Sequence, residues 1–196
     1  MNRIRYRAAG FFAAMLLSVI PGCARQASSE AVQAAAPDAV EIVSRDFSHA
    51  GYVDSIAFLL PDGWTFESYE RTNAGEDMDP REWGFQICIG GEDTQKLYLL
   101  GSRQTGEKAG KYDLSEETPE AVHTGAGLTG KRYTRQITLE NGEVRQEYYV
   151  LFDAVAGSSA VYQVYASLSP EEYEERRAAL DSLVAGISIA AVAKAQ

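Results

Sequence analysis

Cys88 and His123 are the residues whose types could run nucleophilic chemistry, with a thiolate attacking and an imidazole taking its proton. Such a pair needs a third group to orient the base, and none is evident in the sequence. Cys88 sits in Gly84-Phe85-Gln86-Ile87-Cys88-Ile89, whose apolar neighbours predict a strand that buries the thiol as a small hydrophobe. A second chemistry is phosphate binding. Gly125-Ala126-Gly127-Leu128-Thr129-Gly130 spells G-x-G-x-x-G. A dinucleotide site needs a strand before that run and a helix after it, so that helix N–H groups meet the pyrophosphate. Here a strand follows, which makes the run a glycine-rich connection. A third is calcium binding, because Glu76-Asp77-Met78-Asp79-Pro80-Arg81-Glu82 gathers four carboxylates. The EF-hand spacing is missing and Pro80 interrupts the run, so a solvated acidic loop is expected. There is no Gly-x-Ser-x-Gly and no His-Glu-x-x-His, and two histidines are too few for a His-based metal site. No catalytic, cofactor-binding or metal-binding residue is assigned, and the chain is not expected to be an enzyme.

Cys23 is different, because of what precedes it. Arg3, Arg5 and Arg7 make a basic start, no acid comes before Cys23, and Ala8 to Ile20 is an apolar run of 13 residues. A membrane-spanning helix needs about 20 apolar residues, so this run has the layout of a secretory signal instead. Ile20-Pro21-Gly22-Cys23 closes it and resembles the lipobox of bacterial lipoproteins. In that family an aliphatic residue stands three before the Cys and Gly or Ala stands directly before it; Ile20 and Gly22 match, and Pro21 is the middle residue. The resemblance implies cleavage after residue 22. Cys23 would then carry a diacylglyceryl group on its sulfur and acyl chains of the palmitate type, as the first residue of the mature chain. Two or more chains are needed for stable anchoring. The implied location is the extracytoplasmic side of the cell membrane, with the membrane held through Cys23.

Charge narrows the partners. The chain has 18 Lys+Arg against 28 Asp+Glu. Losing Arg3, Arg5 and Arg7 with the signal leaves 15 basic residues, for a net charge of −13. That balance repels nucleic-acid phosphates and anionic lipid head groups, so lipid rather than charge must hold the protein to a membrane. Once Cys23 is acylated, Cys88 has no intramolecular partner and core packing alone must stabilise the domain.

The elements that position these residues follow from patterning. Residues 1–22 are the signal, 23–38 a lipidated Cys and a flexible Ala-, Ser- and Gln-rich tether, and 39–196 a single globular domain. The fifteen tether residues from Ala24 to Asp38 reach roughly 22 Å as a coil. Asp54 to Leu60 reads as a strand into the Pro61-Asp62-Gly63-Trp64 turn, with Thr65 to Glu70 extended beyond it. Trp83–Ile89 and Lys96–Gly101 read as a hairpin around Gly90-Gly91. Residues 104–124 are ambiguous, with Thr118-Pro119-Glu120 suited to cap a short helix. Lys131–Leu139 and Val144–Phe152 alternate around Asn141-Gly142, a two-residue hairpin signal. That loop length pairs Leu139 with Val144, Ile137 with Gln146, Arg135 with Tyr148 and Tyr133 with Val150, a largely apolar face. Tyr148 to Phe152 stops alternating, which predicts cover on both faces. Ala160–Leu168 is the next strand. Ser169-Pro170-Glu171-Glu172 opens a helix with a capping box. Tyr173, Leu180, Leu183 and Val184 form its apolar stripe, Glu172 and Arg176 pair on its wet side, and Gly186 stands past its end. Ile187-Ser188-Ile189 adds a short strand, and 190–196 is expected to fray. Tyr149, Tyr162 and Tyr165 are either an aromatic partner surface or sheet positions in the core.

Ile56-x-Phe58-x-x-Pro61-x-Gly63-Trp64 resembles the entry strand and turn of PsbP-like domains, the superfamily of PsbP, DcrB-type lipoproteins and Mog. The closing order of long hairpin, strand, helix and Ile-x-Ile is similar too. Over Val53 to Ile189 the resemblance implies an α+β fold, an antiparallel β-sheet flanked by helices in an α/β/α sandwich. It implies no common active site. Three functional readings stand: a non-enzymatic binding or accessory lipoprotein of the cell envelope with a possible envelope protein partner, an envelope hydrolase-like enzyme, and a small solute- or cation-binding lipoprotein.

Overall fold

The computed structural model describes residues 41–49, 51–72, 81–103 and 117–194. The signal, Ile20-Pro21-Gly22, Cys23 and the tether lie outside them, as do 76–80 of the acidic run and most of the ambiguous 104–124 stretch. The described chain is an antiparallel α+β fold. Seven strands form the larger sheet: β3 (Thr65–Arg71), β4 (Glu82–Cys88), β5 (Lys96–Ser102), β6 (Glu120–His123), β7 (Thr129–Thr138), β8 (Val144–Phe152) and β9 (Val161–Leu168), in the order β3-β4-β5-β9-β8-β7-β6. A second sheet has three strands, β1 (Glu41–His49), β2 (Tyr52–Leu60) and β10 (Ser188–Ala193), in the order β1-β2-β10. The helix α1 (Pro170–Ala185) lies between β9 and β10 in sequence.

The layer beside the large sheet is shared by α1 and the small sheet. β1 alternates Val43, Phe47 and His49 inward, and β2 alternates Asp54, Ile56, Phe58 and Leu60. These meet Trp83, Phe85 and Ile87 of β4, and the rings of Phe47 and Phe58 pack edge-on to Phe85 at 5.4 and 5.0 Å. Aromatic pairs in that geometry add to the stabilisation from burial alone. Leu180, Leu183 and Val184 bring the helix stripe onto the same core. Tyr148, Tyr149 and Val150 are all buried, in agreement with the continuous apolar run there.

Local chemistry explains most boundaries. The capping box forms as read: Ser169 Oγ accepts from the Glu172 N–H at 3.2 Å, and Glu172 Oε2 accepts from the Ser169 N–H at 2.8 Å. Glu172 is thereby committed, together with a contact to Gln95, and Arg176 meets Glu175 at 3.4 Å rather than the expected Glu172. Gly186 caps the helix with an ordinary φ of −85°. Its need for glycine is space, because a Cβ there would stand 2.8 Å from the Leu59 side chain.

Three expectations are corrected. Thr118-Pro119-Glu120 opens no helix; Glu120 begins β6, which pairs with β7. β10 runs to Ala193 along β2 rather than fraying after Ile189. The β7–β8 register slips by one: Thr138 faces Val144, Arg135 faces Glu147 and Tyr133 faces Tyr149. The loop has three residues. Gly142 donates to the Leu139 carbonyl at 2.9 Å and alone turns left-handed, at φ 84°, while the Leu139 N–H reaches the Glu143 carbonyl. Asn141 serves by accepting the Glu143 N–H at 3.0 Å. Because side chains alternate, that single step exchanges the whole set of cross-strand partners.

Candidate functional site

The register places two polar assemblies on opposite faces of the large sheet. The first is sealed between the sheets. His49 closes β1 and Asp54 stands on the facing strand β2, both fully buried. Three groups converge on Asp54 Oδ2. Trp83 Nε1 donates at 3.1 Å, the Tyr162 hydroxyl donates, and His49 Nε2 lies 2.7 Å away. The His49 contact is off the line of a hydrogen bond, and both ring nitrogens and Asp54 Oδ1 have no aligned partner. The imidazole stacks on Trp83 with 3.7 Å between centroids. Ser158 touches the Tyr162 hydroxyl at 3.0 Å and ends the chain of contacts. Gly101 makes the approach possible. It sits between Trp83 and Tyr162 in the cross-strand row, and a Cβ there would fall 2.7 Å from Trp83 Nε1 and 2.9 Å from the Tyr162 ring. Burial first, then the bond to Asp54, pushes the Tyr162 hydroxyl well above its usual range, so it remains a donor at neutral pH.

The second assembly is a row of tyrosines on the outer face. Tyr98 of β5, Tyr165 of β9, Tyr149 of β8 and Tyr133 of β7 stand in one cross-strand line. Tyr69 of β3 joins it edge-on to Tyr98 at 6.4 Å. Tyr69 faces Gly84, whose φ of 141° and a backbone carbonyl 2.0 Å from where its Cβ would be admit no other residue. The hydroxyls are tied down: Tyr149 donates to Gln163 at 2.6 Å, and Tyr165 to Glu147 at 3.0 Å. Glu147 is itself buried and takes Arg135 Nε at 2.6 Å.

The residues read from the sequence that fall among the described ones now have a place; Ile20-Pro21-Gly22 and Cys23 lie outside them. Cys88 is buried on β4, its Sγ 3.8 Å from Asp93 Oδ1. His123 is on β6, five strand spacings away, or roughly 24 Å. They do not form a nucleophile–base pair. The glycine run is the β6–β7 connection, and the Gly125 N–H donates to the Ala185 carbonyl at 2.8 Å. It therefore meets the carbonyl end of α1, the end that repels anions, whereas a phosphate loop uses the amide end. Of the acidic run, Glu82 pairs with Arg71 at 3.0 Å. Among the described residues no three of His, Cys, Asp and Glu gather as a metal ligand set. Tyr149, Tyr162 and Tyr165 do not share a surface: Tyr162 points into the core and the other two point away from it. His49 and Asp54 escaped the sequence reading. The signal that could have found them was the inward alternation Val43-x-Arg45-x-Phe47-x-His49, which carries a titratable residue into an apolar row.

No family model matches the chain, and no characterised protein sequence matches it. The chain is similar in structure to a cyanobacterial PsbP. That protein, CyanoP from Synechocystis sp. PCC 6803, is 12% identical over 75% of this chain and 92% of its own, at a TM-score of 0.45. LpqN of Mycobacterium tuberculosis, described as involved in cell envelope biogenesis, is 13% identical over 76% of this chain and 91% of its own, at a TM-score of 0.48. The likeness is one of fold, and activity has to be argued from the sites.

Proposed function

We propose that this chain is a membrane-anchored extracytoplasmic lipoprotein with a non-enzymatic binding or accessory role at the cell envelope. The observation that carries the reading is the arginine-led apolar run ending in Ile20-Pro21-Gly22-Cys23. Among the described residues no helix is long and apolar enough to cross a membrane; in this reading the lipid on Cys23 is the attachment. The non-enzymatic part is the reading of the sequence, which carries no catalytic motif, and among the described residues the reactive groups stand as follows. Cys88 and His123 sit far apart, and the His49–Asp54 pair has no exposed surface through which a substrate reaches it. Catalysis needs its base within hydrogen-bond reach of the proton it takes, and a sealed base meets only its own core.

Cys23→Ala tests the anchoring. The variant is expected to leave the membrane fraction for the soluble extracytoplasmic fraction or the medium, and its retention in the membrane would refute lipidation. Crosslinking in the native membrane, read by mass spectrometry, then identifies the envelope partner. A chain that crosslinks to no protein above the level of an unrelated lipoprotein argues against the accessory role.

A further inference from the structure

We propose that the outer face of the small sheet is the surface this domain lays against the lipid bilayer, a proposal that rests on the reading of Cys23 as the anchor. Alternation along β1, β2 and β10 turns one set of side chains to the core and the other away from it. The outward set carries Ile42 and Leu59 as a cross-strand pair at one end, and Val53 and Val192 at the other. Ile42 and Val192 are 61% and 66% exposed and Leu59 36%, so this face carries three of the large apolar side chains open to solvent. Small residues lie between the two ends. Its one carboxylate, Asp46, accepts a hydrogen bond from the Ser55 hydroxyl at 2.5 Å. Lys194, exposed and just past the end of β10, puts a cation at the rim.

Two observations select lipid as the occupant. The first is where the chain enters. β1 starts at Glu41, 18 residues after Cys23, and a coil of that length reaches only roughly 23 Å. Ile42 is the second residue of the strand that the tether feeds, so this sheet belongs to the part of the domain closest along the chain to the anchor. The second is charge. The mature chain carries −13, and anionic head groups repel such a surface within a Debye length. A face with a single carboxylate on its three strands, exposed aliphatics and a lysine at the rim meets far less of that repulsion, and its aliphatics can enter the boundary between head groups and acyl chains. The contact need not be strong, because a short tether holds the face at an effective concentration in the millimolar range.

Carbene footprinting read by mass spectrometry tests this. The Cys88→Ser chain is coupled through Cys23 to maleimide-bearing phosphatidylethanolamine in phosphatidylcholine vesicles, so that the result does not depend on acylation by a cell. The same chain coupled to a soluble maleimide polymer is the reference. Ile42, Leu59 and Val192 are expected to take about threefold less label on vesicles, as a mostly docked face at millimolar effective concentration would. Leu139 and Val144, at the tip of the β7–β8 hairpin, should label equally in both. Val192→Glu, at an exposed position, should restore full labelling of Ile42 and Leu59. Equal labelling of all five residues in vesicles and polymer overturns the proposal. So does protection that disappears when the protein is diluted on the vesicles, which would assign the face to a second copy. Failure of the anchoring itself is read separately, from the fractionation of Cys23→Ala.

Discussion

His49 and Asp54 meet between two sheets, where both side chains are fully buried, whereas Arg132, Glu120 and Asp181 meet where α1 comes down on the edge of the large sheet. In the second cluster Arg132 Nη1 reaches Asp181 at 2.5 Å and Nη2 reaches Glu120, while Tyr148 donates to the same Asp181 oxygen at 3.1 Å. Arg132 is 17% exposed, but Glu120 and Asp181 are 61% and 37% exposed. Both assemblies place a tyrosine hydroxyl on a carboxylate, and in both, burial first and the carboxylate second raise that tyrosine's pKa. Water makes the difference. The outer cluster can lose a partner and let solvent replace it, whereas the inner one cannot. A polar group left without its partner in the interior stays unsatisfied, and that carries the full cost of its desolvation.

That contrast can be broken from the inside first. Asp54→Ala strands the His49 ring, the Trp83 N–H and the Tyr162 hydroxyl, and is expected to cost about 3–5 kcal/mol of unfolding free energy. Denaturant titration measures it. A double-mutant cycle with His49→Ala sharpens the claim, since single losses that add to within about 0.5 kcal/mol would mean that the pair is not coupled. Arg132→Met should cost less, about 1–2 kcal/mol, because water can reach the freed carboxylates. Its cost should shrink as salt is added, while that of Asp54→Ala should stay constant, since screening acts on exposed charge.

The smallest expected effect belongs to the helix cap. Ser169→Ala should cost about 1 kcal/mol. Glu172 is held below its ordinary value near 4.5, first by the Ser169 N–H. A lowered carboxylate contributes stability above its unfolded pKa and loses it as pH falls through the folded one. The stability difference between wild type and Glu172→Gln should therefore narrow as the solution is taken below about pH 4.5, and a difference that stays constant would remove Glu172 from the cap.

How much was legible follows from how local each cause is. Ser169-Pro170-Glu171-Glu172 announces α1 because the capping groups lie three residues apart. The Trp83–Ile89 and Lys96–Gly101 hairpin shows for the same reason. Asn141-Gly142 announced a hairpin correctly and its register wrongly, since the dipeptide serves both a two-residue and a three-residue loop, and the conformation at Asn141 separates them: the two-residue loop needs a positive φ there as well as at Gly142. Of the tyrosine row the sequence offered only Tyr149 and Tyr165, grouped with Tyr162 of the opposite face. The row depends on the β5–β9–β8–β7 order, which brings Tyr98 and Tyr165, 67 residues apart, to face each other.

The residues alone determined the helix and its cap and the presence of the hairpins, because each rests on contacts within a few residues. Tertiary structure decided the rest. It parted Cys88 from His123, turned the glycine run toward the carbonyl end of α1, and sealed His49 and Asp54 under Trp83 and Tyr162. It also left the outward face of the small sheet with a single carboxylate, Asp46, among exposed aliphatics. Those outcomes depend on which strands become neighbours, and strand order is set by burying the apolar faces of the whole chain at once.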